Sequence, residues 1–409
     1  MTAKTIDPVD VLLLRIAAGA GSALDGELSQ LDAGSWSALV RQAVAFRLGP
    51  LVAGAIDRHG WSAPGEAGNL LDCDRREHTL RALSQLRTLA VLAWRMSELS
   101  MDHVVLKGGA LVMTQRPGQP VLRVMRDLDV LLSPGDAARL HADLLRCGWT
   151  VPPGYLRDTD PGSHHLPVIA DPENGNLAEL HVRSTKARWA GESALRCGLL
   201  SDAIAVSCLG EMVRVADPEG NFLHLLAHAT LNRPFDPGPQ FLADIAGLIA
   251  GGTIDPAALA KRAQALGLGR ALGLSLGLVD HLGALPDKQW RAEAEPGSNA
   301  LLEAAMHAML TPQGRDRELR FHDDIADSKS AARWLLTTLA RAFSPRAEAL
   351  AAIAGREPGD PLRYLGYPRW IAQRVSALAR AKFDPEIKRD MDKADTLRDW
   401  LSESPEKGI

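Results

Sequence analysis

"LRVMRDLDVLL", residues 122–132, sets two aspartates inside a run otherwise composed for burial. Leu128, Val130, Leu131 and Leu132 surround Asp127 and Asp129, with Arg123 and Arg126 just upstream. Apolar, β-branched runs of this length form buried strands, where a carboxylate without a partner is costly. Strand alternation resolves the conflict. Residues i and i+2 share a face, so Asp127 and Asp129 project together while Leu128 and Val130 anchor the opposite side. Two carboxylates held side by side repel, and a divalent cation between them removes that cost. Mg²⁺ is the expected ion, since it takes hard oxygen ligands and uses one or two protein carboxylates with substrate phosphates. Mn²⁺ is the alternative. Arg126, adjacent to Asp127, points to the other face and reads as structural.

The neighbouring motifs extend this reading. "LKGGAL" (106–111) ends a short strand in Gly108–Gly109 before a helix. Two glycines there let backbone N–H groups approach a phosphate, and a helix N-terminus favours negative charge. Lys107 and Arg123 add positive charge for β- and γ-phosphates, although Lys107 alone is equally a solvated strand end. Downstream, "AELHV" puts Glu179 within a second apolar run and His181 two residues later on the same face. A third carboxylate beside the first two would complete a two-metal site for in-line displacement. His224 and His228 stand at i and i+4, a spacing that suits either a metal-binding helix face or two histidines packing a helix onto a sheet. His164 and His165 read as either substrate contacts or a surface strand start.

Composition narrows the partners. The 409 residues leave room for two or three domains, and 46% hydrophobic with 23% charged residues is ordinary for a globular protein. A net charge of −4 and 5% aromatics give no basic coat or stacking platform, so a nucleic-acid acceptor is disfavoured. Four scattered cysteines without a CxxC pair suit a reducing cytoplasm. The N-terminal "VDVLLLRIAAGAGSAL" has acids before its apolar run and Arg15 within it, unlike a secretory leader. No apolar run approaches the length of a membrane span. The expectation is a cytoplasmic protein with no membrane segment.

Along the chain three textures follow one another. Residues 1–100 carry helical periodicity, with Ser35 read as the N-cap of "SWSALVRQAVAFRLGPLVAGAI" and one long helix from residue 74. Residues 101–216 read as an α+β unit. Its strands are expected in 103–108, 124–132, 164–171, 177–183, 203–209 and 212–216, with a helix after Ser133–Pro134 and an Asn–Gly hairpin at 172–176. From Asp217–Pro218, an N-cap and N1 pair, residues 217–409 read as helical, with segments near 218–232, 240–250, 256–268, 270–283, 299–310 and 330–343 and a charged tail helix from about 384.

Taken together, "LKGGAL", "RVMRDLDVLL", "HHLPVI" (164–169), "ELHV" (179–182) and "LLAHATLN…FLADIAGLI" (225–249) resemble the uncharacterised nucleotidyltransferase family of the DNA polymerase beta-like superfamily. The resemblance spans roughly residues 36–285. It implies a minimal nucleotidyltransferase mixed sheet with N-terminal helices and a large C-terminal helical region. It also implies Mg²⁺-dependent transfer of a nucleoside monophosphate from an NTP, with release of pyrophosphate. By that match Asp127 and Asp129 bind metal, Glu179 is the third carboxylate and helps deprotonate the acceptor, and Lys107, Gly108, Gly109 and Arg123 hold phosphates. His165, His181, His228 and Asp244 fall on the acceptor side. The superfamily's Gly–Ser turn is Gly108–Gly109 here, and its commoner third Asp is Glu179. The acceptor is expected to be a hydroxyl-bearing small molecule, peptide or protein. A degenerate nucleotide-binding relative and a phosphotransferase on the same site are the alternatives.

Overall fold

The computed structural model describes residues 6–115, 121–152, 163–186, 189–231, 233–295, 297–311, 345, 347–357, 359–373, 376 and 385–402. Its centre is a six-stranded mixed sheet in the order β3-β4-β2-β1-β6-β5. The strands are β1 His103–Val105, β2 Asp127–Leu132, β3 Ile169–Ala170, β4 Leu177–His181, β5 Ile204–Cys208 and β6 Glu211–Val215. β2 runs parallel to β4 and antiparallel to β1, while β1 runs parallel to β6. The α+β class and mixed sheet expected from the sequence are therefore what the chain forms. The paired β5–β6 hairpin turns at Leu209–Gly210, both in the left-handed region.

Helices precede and follow the sheet. Before β1 come α1 Pro8–Ala18, α2 Asp25–Ser29, α3 Ala33–Ala45, α4 Gly49–His59 and α5 Gly65–Glu98. Within and after the sheet come α6 Lys107–Met113, α7 Pro134–Arg146, α8 Glu192–Ser201, α9 Pro218–Thr230, α10 Pro239–Ala250, α11 Pro256–Ala265, α12 Gly269–His281, α13 Lys288–Ala292 and α14 Asn299–Met309. The chain divides into two compact units, one of residues 1–309 with 400–409 and one of residues 310–399. Residues 1–100 and 217–309 fall in the same unit as the sheet. In the second unit, α15 spans Ala347–Ala354, and α16 runs Pro385–Ser402, ending in the first. The helix expected at 330–343 lies outside the described residues.

Local signals explain most boundaries. Ser133 caps α7 by accepting from the Asp136 N–H, and Gly148 in the left-handed region ends the turn after it. Asp217 caps α9 through the Gly220 N–H, with Pro218 at the first position. One expectation changes: the N-terminal segment with Ser35 as its cap is two helices, not one. Asp32 caps α3 by accepting from the Ser35 N–H at 2.7 Å, so Ser35 lies inside the first turn. The break falls at Phe46–Leu48, where Arg47 has φ +61. Positive φ in a residue with a Cβ interrupts right-handed helix geometry and redirects the chain into α4.

The β2 prediction holds at its core and shortens at its start. Val124 and Met125 are buried but precede the paired strand. Leu128, Val130, Ala178 and Leu180 are fully buried and form the apolar anchor that the alternation demanded. β3 is only two residues long, with a separate bridge between His165 and His181 in place of the longer strand expected over 164–171. A polar knot ties its turn to α5: Thr88 donates to Asp171 at 2.6 Å, while Asn176 donates to Thr88 at 3.0 Å and to Ser84 at 2.9 Å. All four cysteines are free, and no helix among the described residues is long and apolar enough to cross a membrane. Truncating Leu128 to Ala removes a buried anchor from the central pair. It should lower stability by about 2–5 kcal/mol, read as a lower urea midpoint for loss of the sheet-bearing unit.

Candidate active site

The site is assembled by the β2–β4 pairing. In its parallel register Asp129 lies opposite Glu179, Asp127 opposite Leu177 and Leu131 opposite His181. Asp127, Asp129, Glu179 and His181 consequently share one face, while the leucines, valine and alanine between them are packed away on the other. Ligand atoms of Asp129, Glu179 and His181 all lie within 4.8 Å of one another. The sequence reading put His181 on the acceptor side; the fold brings it among the acids. Its Nε2 donates to Asp129 Oδ1 at 2.9 Å and approaches Glu179 at 3.3 Å. Asp127, partly exposed at the strand start, stands outside this compact group.

A lysine completes the cluster. Lys107 Nζ donates to the same Asp129 oxygen at 2.7 Å. The residue begins α6 with φ +50, an uncommon conformation for a side chain with a Cβ. Asn221 of α9 secures it from both sides. The asparagine Oδ1 accepts from the Lys107 N–H at 3.0 Å, and its Nδ2 donates to the Lys107 carbonyl at 3.3 Å. Sequence reasoning passed over Asn221. Its available signal was a buried amide three residues before His224, on the same helix face. Gly108 and Gly109 follow under tight constraint: a Cβ on Gly109 would lie 2.6 Å from Val105, and one on Gly108 would lie 2.9 Å from Met125. The glycines are therefore required by packing as well as by any phosphate.

The charges interlock. Burial alone would raise Asp129, but the Lys107 ammonium and His181 outweigh it and hold this carboxyl well below the usual range. Burial would likewise raise Glu179, and the His181 hydrogen bond reverses the direction. Lys107 and His181 are opposed by burial yet held up by the carboxylates they touch. Asp127 has no hydrogen-bonded cation of this kind among the described residues. Burial, then the negative charges of Asp129 and Glu179, push it up to about 6. Two carboxylates and an imidazole, with a protein cation already bound to the central oxygen, form a donor set that fits a divalent cation.

The remaining expected residues divide into two groups. His164, His165 and His181 make a ring cluster with centroids 4.6–5.6 Å apart. Burial and the neighbouring histidines keep His164 far below its ordinary value, hence neutral. The fold thus gathers His165 at the edge of the acids. His224 is fully buried and bonds the Ser184 carbonyl at 2.8 Å, and burial followed by the Lys107 charge lowers it to about 3. That is a packing role. His228, partly exposed and 6.4 Å from His224 between ring centroids, is lowered by burial and then by Lys107. Arg123 and Asp244 are drawn into each other instead. The guanidinium forks onto the carboxylate at 2.6 and 3.0 Å and also donates to the Val124 carbonyl. Each neutralises the other across the segment leading into β2.

Two measurements follow from this electrostatic arrangement. An unfolded Asp127 ionises near pH 4, whereas in the fold it keeps its proton to about pH 6. Its contribution to stability is complete below pH 4 and lost as pH rises through about 6. Asp127→Asn should stabilise the metal-free protein by about 1–2 kcal/mol at pH 8 and leave it unchanged at pH 4, measured by urea unfolding in EDTA. Asn221→Ala should cost about 1–3 kcal/mol by orphaning the Lys107 N–H and releasing its positive φ, read from the same unfolding curves at pH 7.

The profile of the family described as uncharacterised nucleotidyltransferases matches residues 32–284 of this chain. No curated protein matches it. The matched span starts at the cap of α3, contains the whole sheet and all the residues discussed above, and ends after α12. It covers well over half of the sequence, and the chain belongs to the uncharacterised nucleotidyltransferase family.

Proposed function

We propose that this protein uses a divalent cation, Mg²⁺ or Mn²⁺, to transfer a nucleoside monophosphate from an NTP to a hydroxyl on a small molecule, peptide or protein. In that reaction the acceptor oxygen bonds to the α-phosphorus as the bond to the β-phosphate oxygen breaks. Pyrophosphate leaves, and the hydroxyl proton passes to a base. The observation that carries the proposal is the convergence of Asp129, Glu179 and His181, with Lys107 on the central oxygen, at the start of a Gly–Gly helix. Asp129, Glu179 and His181 would hold the cation once His181 gives up its Nε2 proton, with Asp127 as the adjoining carboxylate. A cation bound there supplies charge neutralisation at the phosphoryl oxygens.

The chain's own groups account for the rest. Lys107 remains protonated and keeps a positive charge beside the phosphates. Gly108 and Gly109 allow close backbone approach at the α6 N-terminus. Glu179, kept ionised by His181, can hold the acceptor's proton on a carboxylate oxygen. His165 and His228 are available to orient the acceptor. The unpaired cysteines and the chain's composition favour a cytoplasmic setting.

A second reading has one observation in its favour. The Lys107 ammonium occupies the Asp129 oxygen that a metal would use, as in a protein that binds nucleotide without turnover. Incubation with labelled NTPs and Mg²⁺ or Mn²⁺ separates the readings. The proposal expects labelled product and stoichiometric pyrophosphate, both falling at least 100-fold in Asp127→Ala plus Asp129→Ala. Pyrophosphate release that survives the double substitution sinks it. Saturable binding without product supports the second reading, and an adduct with only a phosphate's mass identifies a phosphotransferase.

A further inference from the structure

Lys107 is held very differently at its two ends. Its backbone is fixed. Asn221 accepts from the N–H at 3.0 Å and donates to the carbonyl at 3.3 Å, and one residue earlier the Leu106 N–H donates to the Asp129 carbonyl at 3.0 Å. These ties set the root of the lysine beside the root of its acceptor. The ammonium, at the end of a flexible aliphatic stem, makes a single hydrogen bond among the described residues, to Asp129 Oδ1 at 2.7 Å.

That oxygen is contested. Oδ1 also accepts from His181 Nε2 at 2.9 Å, and the same nitrogen lies 3.3 Å from Glu179, so Oδ1 is the Asp129 oxygen turned toward the other two cation ligands. Its two lone pairs are both taken. A divalent cation among Asp129, Glu179 and His181 needs the place that the ammonium now fills, and two positive charges so close together in a buried site repel strongly. Asp129 has no freedom to serve both, because its side chain is only 4% exposed. The Lys107 side chain keeps 15% of its surface exposed and so has a way out toward solvent. The charge of the ammonium is sustained against burial by Asp129, Glu179 and Asp127, the same acids that a cation would neutralise.

We propose that Lys107 is a resident counter-ion that latches the site shut: bound to Asp129 Oδ1 it competes with a divalent cation for that oxygen, and it must swing off Asp129 for the cation to bind. The movement is confined to the side chain, because Asn221 and the Leu106–Asp129 tie hold the backbone on either side of it. In the latched state the acids are paired and the site has little affinity for a free metal ion. The inference rests on the cation-dependent reading of the site, and it makes the Lys107–Asp129 contact one state of a working centre.

Isothermal titration of the full chain with Mn²⁺ and with Mg²⁺, in the absence of nucleotide, reads the competition. Lys107→Met keeps most of the stem and removes the charge. It should bind either ion about tenfold or more tightly than the native chain, and Lys107→Gln should do the same, each variant checked by its melting curve. Arg126→Gln is the control: it removes an exposed positive charge next to Asp127 that makes no contact with Asp129, and it should tighten binding by less than about twofold. Crystals soaked in Mn²⁺ and located by anomalous diffraction should show Lys107 Nζ beyond hydrogen-bond distance of Asp129. Unchanged or weaker Mn²⁺ binding in the folded Lys107 variants overturns the latch, as does an equal gain in Arg126→Gln, which would make the effect one of net charge. Mn²⁺ bound to Asp129 with the lysine contact intact overturns it too. Binding of neither ion to the native chain or to any Lys107 variant refutes the cation-dependent reading and the latch together. Tighter binding in the Lys107 variants of a protein that releases no pyrophosphate from NTPs refutes the catalytic reading and leaves the latch standing.

Discussion

The parallel pairing of β2 with β4 is the constraint on which the rest depends. Its register sets Asp129 against Glu179, and because pleating alternates every residue, it also decides what lies behind them. A slip of one residue would turn the carboxylates into the core and the leucines into the cleft. The fully buried Leu128, Val130, Ala178 and Leu180 make that slip prohibitive. The apolar face thus does more than stabilise a sheet. It holds negative charges together against their own repulsion.

Around that pairing, the protein supplies its own cations. Lys107 and His181 both reach one oxygen of Asp129, at 2.7 and 2.9 Å, which lowers that carboxyl and leaves Asp127 to absorb the repulsion. Lys107 can do so because Asn221 stabilises a backbone conformation that the residue would otherwise resist. A charge placed by one strand end is therefore governed by a helix more than 100 residues later. The Arg123–Asp244 fork is a similar long-range tie, joining the approach to β2 with α10. These two ties connect the helices after the sheet to the groups at its centre, so those helices belong to the machinery of the site.

Several features were legible because their causes are local. The two-residue period of "DLDVLL" marked the strand and its carboxylate face, Ser133 and Asp217 marked helix starts, and the glycines marked the turn after β1. The Ser35 cap was misread because Asp32, three residues earlier, accepts from the Ser35 N–H and starts the helix ahead of it. The extent of β3 was also misread. "HHLPVIAD" has strand composition throughout, yet Pro167 has no N–H to give a ladder, and pairing resumes only at Ile169.

By itself, the sequence determined the alternation, the composition of each face, the caps and the order of motifs, since each depends on residues a few positions apart. It could not determine which charges meet. That Arg123 spends its guanidinium on Asp244, that His181 bonds Asp129, and that Asn221 cradles Lys107 all depend on contacts between residues 52 to 121 positions apart. Such contacts come from strand order and helix packing. Coulomb energy varies with distance in space, and only the tertiary structure sets that distance.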